Sequence, residues 1–314
     1  MVYKNIKTYK KGYLNVGDRH KIYYELSGNP KGKPVFFIHG GPGGGFSQKH
    51  KRFFNPKVFN IITFDQRGSG KSKPFASLKN NTTQKLIKDI KKLLDHLKIK
   101  KTFLFGGSWG STLSLVYAIN YPKTIAGIVI GGIFLASKQE NDYFIYESRN
   151  IFPEAWKKFT SIIPKKYIKK RLIEEYYYKM IKAKNKKTRK KFTRAWAEYE
   201  FSVSCLSPSD KKIKKWLKEI KYEAFSSIEL HYLVHKCFLP KDYILKNAPK
   251  LNKIPVSIVH GRYDCVCSPL SAYALHERIK GSKLYFTLGG HSASDKETEK
   301  KLITEMDKLS RVRL

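Results

Sequence analysis

The chain is predicted to form an α/β fold, a mostly parallel, doubly wound sheet with a helical segment inserted into it, and three observations predict this. Short apolar runs that end in glycines alternate with helix-patterned stretches along the first third of the 314 residues. Strand signals then fade between about 136 and 240. From Ile254 the alternation of strand and helix resumes.

Taken in order, Gly12 to Gly28 reads as a hairpin around Gly17-Asp18, its second strand being Lys21-Ile22-Tyr23-Tyr24-Glu25-Leu26. Pro34-Val35-Phe36-Phe37-Ile38 has the continuous apolar character of a strand buried on both faces, and Phe59 to Asp65 is the next such run. Thr82 or Thr83 opens a helix that places Leu86, Ile87, Ile90, Leu93, Leu94 and Leu97 on one face. Lys101 to Phe105 is a strand, followed at once by glycines and an apolar helix to Asn120, and Ile125 to Ile130 is one more strand. Within the insertion, long segments rich in Tyr, Trp and Lys have helical spacing, such as Ile168, Leu172, Ile173, Tyr176, Tyr177 and Met180. Ile254 to Gly261, Lys283 to Leu288 and a C-terminal helix complete the sheet pattern. The core is therefore expected to comprise 1–135 and 241–314, and the helical insertion 136–240.

Composition narrows the functional classes. Hydrophobic residues make up 41% and aromatics 14%, too apolar for a disordered chain. No run approaches the ~18 apolar residues of a membrane span, and no apolar stretch follows the basic opening residues, so a soluble, cytoplasmic protein without membrane or secretory segments is expected. The charge is +38, from 63 basic and 25 acidic residues. Only 11 of the basic residues are Arg, the side chain that reads base edges and grips phosphate in bidentate fashion, and Lys is spread along the whole chain. That distribution fits compositional drift in an AT-rich genome better than a selected polyanion or acidic-membrane surface. Non-specific attraction of polyanions is expected, but no specific nucleic acid. Four cysteines, Cys205, Cys237, Cys265 and Cys267, lack zinc-finger spacing, so neither a metal nor a disulfide framework is expected.

The chemistry concentrates on a few loops. Gly106-Gly107-Ser108-Trp109-Gly110 is a Gly-x-Ser-x-Gly motif between a predicted strand and a predicted helix, the setting in which a strained turn lifts a serine hydroxyl to the sheet edge. A serine nucleophile needs a base oriented by a carboxylate. In that chain order Asp264 and His291 stand on loops that follow predicted strands, whereas His231, His235 and His276 lie in the insertion or on a helix. His39-Gly40-Gly41-Pro42-Gly43-Gly44-Gly45 can approach a ligand closely, and a backbone N–H there, with that of Trp109, would make an oxyanion hole. The loop lacks the Lys-Ser/Thr of a phosphate-binding loop.

These motifs together, with Asp65-Gln66-Arg67-Gly68-Ser69-Gly70, His260-Gly261-Arg262-Tyr263-Asp264 and Gly289-Gly290-His291-Ser292-Ala293, resemble the proline iminopeptidases from about Gly12 to the C-terminus. The resemblance implies an α/β-hydrolase fold with 136–240 as a helical cap, and release of N-terminal proline from peptides without a metal or cofactor. It implies a catalytic triad of Ser108, His291 and Asp264 and an oxyanion hole at Gly41 and Trp109. Trp196-Ala197-Glu198-Tyr199-Glu200 is similar to the family's Trp-x-x-Trp-Glu element, with Tyr199 for the second Trp, and Glu229-Leu230-His231-Tyr232 to its Glu-x-His-Tyr element. Glu200 and Glu229 are thereby expected to face the substrate's ammonium, and Phe134 and Tyr143 to line the proline pocket. One departure stands out: Gly131 occupies the place of an Arg that usually precedes Gly-Ile-Phe, so the amine site is expected to lack a compensating cation. The rival functions are an esterase or amidase on the same scaffold and a cationic binding protein with a vestigial triad.

Overall fold

The computed structural model describes residues 2–4 and 6–313. Eight strands form one sheet: β1 (Thr8–Gly17), β2 (His20–Gly28), β3 (Lys33–Ile38), β4 (Phe59–Phe64), β5 (Thr102–Ser108), β6 (Ile125–Ile133), β7 (Val256–Gly261) and β8 (Lys283–Thr287). Their spatial order is β1-β2-β4-β3-β5-β6-β7-β8. β2 runs antiparallel to both β1 and β4, and every other pairing is parallel.

The apolar runs split by strand period two into two cores. Phe36, Ile38, Leu104, Ile128 and Ile130 face one side, under α1 (Thr83–His96) and α2 (Trp109–Asn120). Val35, Phe37, Phe103, Phe105 and Val129 face the other. Thr82 caps α1 by accepting the Lys85 N–H, as the threonine pair suggested.

Between β6 and β7 the chain is helical: α3 (Lys138–Asp142), a π-helical turn at Tyr143–Glu147, α4 (Pro153–Thr160), α5 (Lys165–Lys169), α6 (Ile173–Ile181), α7 (Lys186–Val203), α8 (Asp210–Glu219), α9 (Tyr222–Val234) and α10 (Tyr243–Asn247). The helix read across 168–180 is broken. Arg171 adopts φ 53°, and the Leu172 N–H returns to the Tyr167 carbonyl, which ends α5 and starts α6 in a new direction. Residue spacing was right on each side of the break, but no glycine marked it.

These helices build an aromatic core of their own around Phe144, Phe159, Tyr177, Trp196 and Tyr199, which also takes in Cys265, Val266 and Cys267 of the loop after β7. α9 is the seam. Its Ala224, Ile228 and Tyr232 pack into the sheet core, while Leu230 and Leu233 pack into the helical one. The last two helices, α11 (Pro269–Arg278) and α12 (Lys296–Leu309), return to the sheet. α12 covers the second face through Leu302, Ile303, Met306 and Leu309. No described helix is long and apolar enough to cross a membrane.

Candidate active site

Parallel strands deliver their C-terminal ends to one edge, so the loops after β3, β5, β6, β7 and β8 meet there. Ser108 ends β5 at φ 58°, ψ −131°, a backbone region that L-residues rarely occupy, and α2 begins at the next residue. The flanking glycines are required by close approach. A Cβ on Gly106 would collide with the Gly110 carbonyl, and one on Gly110 with the Ile38 carbonyl. The elbow is further tied to the end of β6, because the Ser111 hydroxyl donates to the Ser108 carbonyl (2.7 Å) and accepts the Phe134 N–H (3.2 Å).

His291, on the loop after β8, donates from Nδ1 to Oδ2 of Asp264 at 2.8 Å. Asp264 follows β7, and its other oxygen accepts the backbone N–H groups of Val266 (2.9 Å) and Cys267 (2.8 Å). Burial alone would raise the Asp264 pKa. The neighbouring His291 and these donors outweigh it and hold the carboxyl below its usual value. Burial likewise opposes the charging of His291, but Asp264 raises it above the ordinary imidazole value. Gly132 (φ 51°) brings the pieces into contact: a Cβ there would stand 3.1 Å from Cε1 of His291 and 3.5 Å from the Ser108 amide nitrogen.

The glycine loop after β3 lies directly over the serine. A Cβ on Gly40 would be 3.2 Å from that of Ser108 and 3.8 Å from its hydroxyl. Gly41, at φ 110°, holds a turn that other residues resist. The Trp109 N–H heads α2, where no intrahelical acceptor exists. Gln66 links the two halves of this pocket: its amide donates to the His39 carbonyl (2.7 Å) and its oxygen accepts the Trp109 indole N–H (2.9 Å). His39 Nε2 accepts the Gln66 backbone N–H (3.0 Å), and burial pushes this imidazole down to about 4, so it is neutral. Gln66 stood in the sequence motif without an assigned role; only the fold shows what it connects.

From the helical side, α7 and α9 bring Glu200 and Glu229 together, both buried. Trp196 donates its indole N–H to Glu229 (2.6 Å), and Oε2 of Glu200 is buried without a hydrogen-bond partner. Burial raises both carboxyls; the Glu229 charge raises Glu200 further, whereas Glu200 and the Trp196 indole act to lower Glu229, so a proton shared by the pair sits with Glu200. Glu229 is close enough to raise the His291 pKa. The end of α7 also grips the histidine loop, where the Ser292 N–H donates to the Ser204 carbonyl (3.0 Å).

Two other expectations fare differently. Phe134 is half-buried at the junction of the sheet and helical cores, beside the elbow. Tyr143 instead donates its hydroxyl to the Asp264 carbonyl (2.8 Å) and lines a cavity of about 370 Å³ with Glu140, Leu270 and Ser271, which none of Ser108, Asp264 and His291 lines. The reading of Gly131 needs correction. A Cβ there would meet the Val259 carbonyl at 2.9 Å and Leu302 of α12 at 3.5 Å, so this position faces the sheet's far side. The strand's alternation sends residue 132, not 131, toward His291, so the expected electrostatic gap does not lie at Gly131. Among the described residues the one cluster of three metal-ligating types is Asp264, Cys267 and His291, and two of these are already joined by the 2.8 Å hydrogen bond.

The alpha/beta hydrolase fold family matches residues 33–162. A proline iminopeptidase of Arabidopsis thaliana is 40% identical over 98% of this chain and 82% of its own length. A probable proline iminopeptidase of Leptolyngbya boryana is 40% identical over 98% of this chain and 96% of its own. Among solved structures, a proline iminopeptidase of Mycobacterium smegmatis superimposes with a TM-score of 0.62 at 16% identity, covering 96% of this chain and 97% of that one. An esterase from Exiguobacterium antarcticum superimposes with 0.67 at 19%, covering 95% and 98%. The structural likenesses speak for the fold alone, whereas the full-length sequence identity goes further: the chain belongs to the proline iminopeptidase family.

Proposed function

We propose that the protein is a serine exopeptidase that releases N-terminal proline, or a similar small residue, from peptides. The observation that carries this reading is the buried pair Glu200 and Glu229, one oxygen of it unpartnered, beside the His291 loop. An enclosed pair of carboxylates is a poor environment for anything except a cation, and a substrate's terminal ammonium supplies one. The segment 136–240 acts as the cap that carries this pair over the sheet edge.

In the reaction, Ser108 Oγ attacks the carbonyl carbon of the terminal residue while His291 removes the hydroxyl proton. The amides of Gly41 and Trp109 receive the negative oxygen of the tetrahedral intermediate. Its collapse breaks the peptide bond, and His291 returns the proton to the departing nitrogen. Water, deprotonated by the same imidazole, then releases the acyl group from Ser108. Asp264 keeps the imidazole in the required tautomer and supports its charge. Phe134, at the seam, supplies an apolar wall for the proline ring.

The test compares a proline arylamide, its N-acetylated form and a simple ester. The free amine should exceed the blocked substrate by ~10²-fold or more in kcat/KM, about 3 kcal/mol. Equal rates on blocked and free substrates would favour an esterase or amidase.

A further inference from the structure

We propose that His260 is a positioning residue for this reaction, holding Asp264 in the orientation that His291 requires. It stands near the end of β7, four residues before Asp264, with no exposed surface. Its Nδ1 lies 3.0 Å from the Ile133 nitrogen and accepts that backbone N–H. The partner thereby assigns the ring proton to Nε2, which donates to the Cys267 carbonyl at 3.0 Å. Nε2 is also 3.5 Å from Oδ2 of Asp264, the same oxygen that receives the His291 proton.

One imidazole thus joins three parts of the site. Ile133 follows Gly132, where a Cβ would stand 3.1 Å from Cε1 of His291. Cys267 ends the turn whose N–H groups hold the other oxygen of Asp264. The donor edge of the ring lies against Asp264 itself. A phenylalanine could fill the same volume, but it would leave the Ile133 N–H and the Cys267 carbonyl without partners. Burial, the largest influence, depresses the His260 pKa, which keeps it a neutral donor rather than a second cation beside the triad.

A neutral donor at this place restrains the carboxylate and lowers its basicity. Without it Asp264 holds the proton on His291 more strongly, so the acid limb of kcat/KM moves to higher pH. The other groups facing the pair are Glu200, Glu229, Asp295, Arg262, Tyr143, Cys265 and Cys267, and they are the same in every variant below.

The inference rests on Asp264 being the triad carboxylate, and two polar variants test it. In His260→Gln the amide nitrogen stands where Nε2 was and still donates toward Asp264. In His260→Asn the shorter side chain reaches Ile133 but not Asp264. The Gln variant is expected to keep kcat within about threefold and the acid limb in place. The Asn variant should lose ~10-fold or more in kcat, with KM within about twofold and the limb displaced upward. Equal kcat and superimposable limbs in two variants of similar melting temperature would make His260 a structural residue only. The wild type provides a second readout, the ¹⁵N spectrum of its histidines. A neutral His260 with the proton on Nε2 is expected at neutral pH, and a charged ring or a proton on Nδ1 would overturn the proposal. That spectrum is independent of turnover. Lack of proline arylamide cleavage by the wild type would therefore defeat the functional reading, not this assignment.

Discussion

Asp264 and the pair Glu200–Glu229 are all buried carboxylates, yet their surroundings drive them in opposite directions. Asp264 receives two backbone N–H groups and the His291 imidazole, with His260 alongside, and its pKa is lowered. Of the glutamates, Glu229 receives one indole N–H and Glu200 has an oxygen without a partner, and their pKa values are raised. Burial is the first influence on all three, so the His291 charge and the donors around Asp264, which the glutamates lack in that strength, decide the outcome. On the proposed reading, the comparison separates a carboxylate that stays charged from a pair that waits for a cation.

The largest expected effect comes from breaking the first half of it. Asp264→Asn keeps the shape but presents an amide to His291 and favours the wrong tautomer, so kcat should fall by roughly 10⁴-fold. Steady-state kinetics on a proline arylamide measure this, and a loss under tenfold would remove Asp264 from the triad.

The second half breaks more gently. Glu200→Gln removes one charge and leaves the volume, so kcat/KM for the free amine should drop ~10²-fold. The rate on an N-acetylated substrate should hardly change, because it presents no ammonium. A parallel loss on both substrates would mean that Glu200 supports the helical core rather than the amine.

The smallest effect sharpens the contrast through stability. A lowered pKa such as that of Asp264 contributes stability above the unfolded carboxyl value, and this is lost as pH falls through the folded one. The raised pair has the opposite sign. Its contribution is present below the unfolded value of about 4.5 and is lost as pH rises through the raised values. Glu200→Gln should therefore flatten the decline of Tm on the alkaline side of that window by about 2–5 °C. Calorimetric scans across pH give the slope, and an unchanged slope would argue that the pair carries no shared proton.

Much of the site was legible because its signals are local. The Gly-x-Ser-x-Gly elbow, the glycine loop after β3 and the order Ser108, Asp264, His291 need only strand–turn–helix context, which period-two apolar runs and glycines reveal. The helix break at Arg171 was not legible, because an arginine in a left-handed turn carries no compositional mark. Gly131 misled for a different reason: its motif was read without the strand's alternation, and one residue's displacement along a strand exchanges the two faces of the sheet.

By itself the sequence determined the sheet, the elbow and the order of the proposed triad, since each depends on residues within one or two turns of chain. Only the tertiary structure decided that Glu200 and Glu229, on separate helices, share one buried space, that Gln66 joins the glycine loop to the elbow, and that His260 stands against Asp264. Those relations depend on how helices and strands pack. A carboxylate's charge state follows from its donors and its burial, which residue spacing along the chain does not specify.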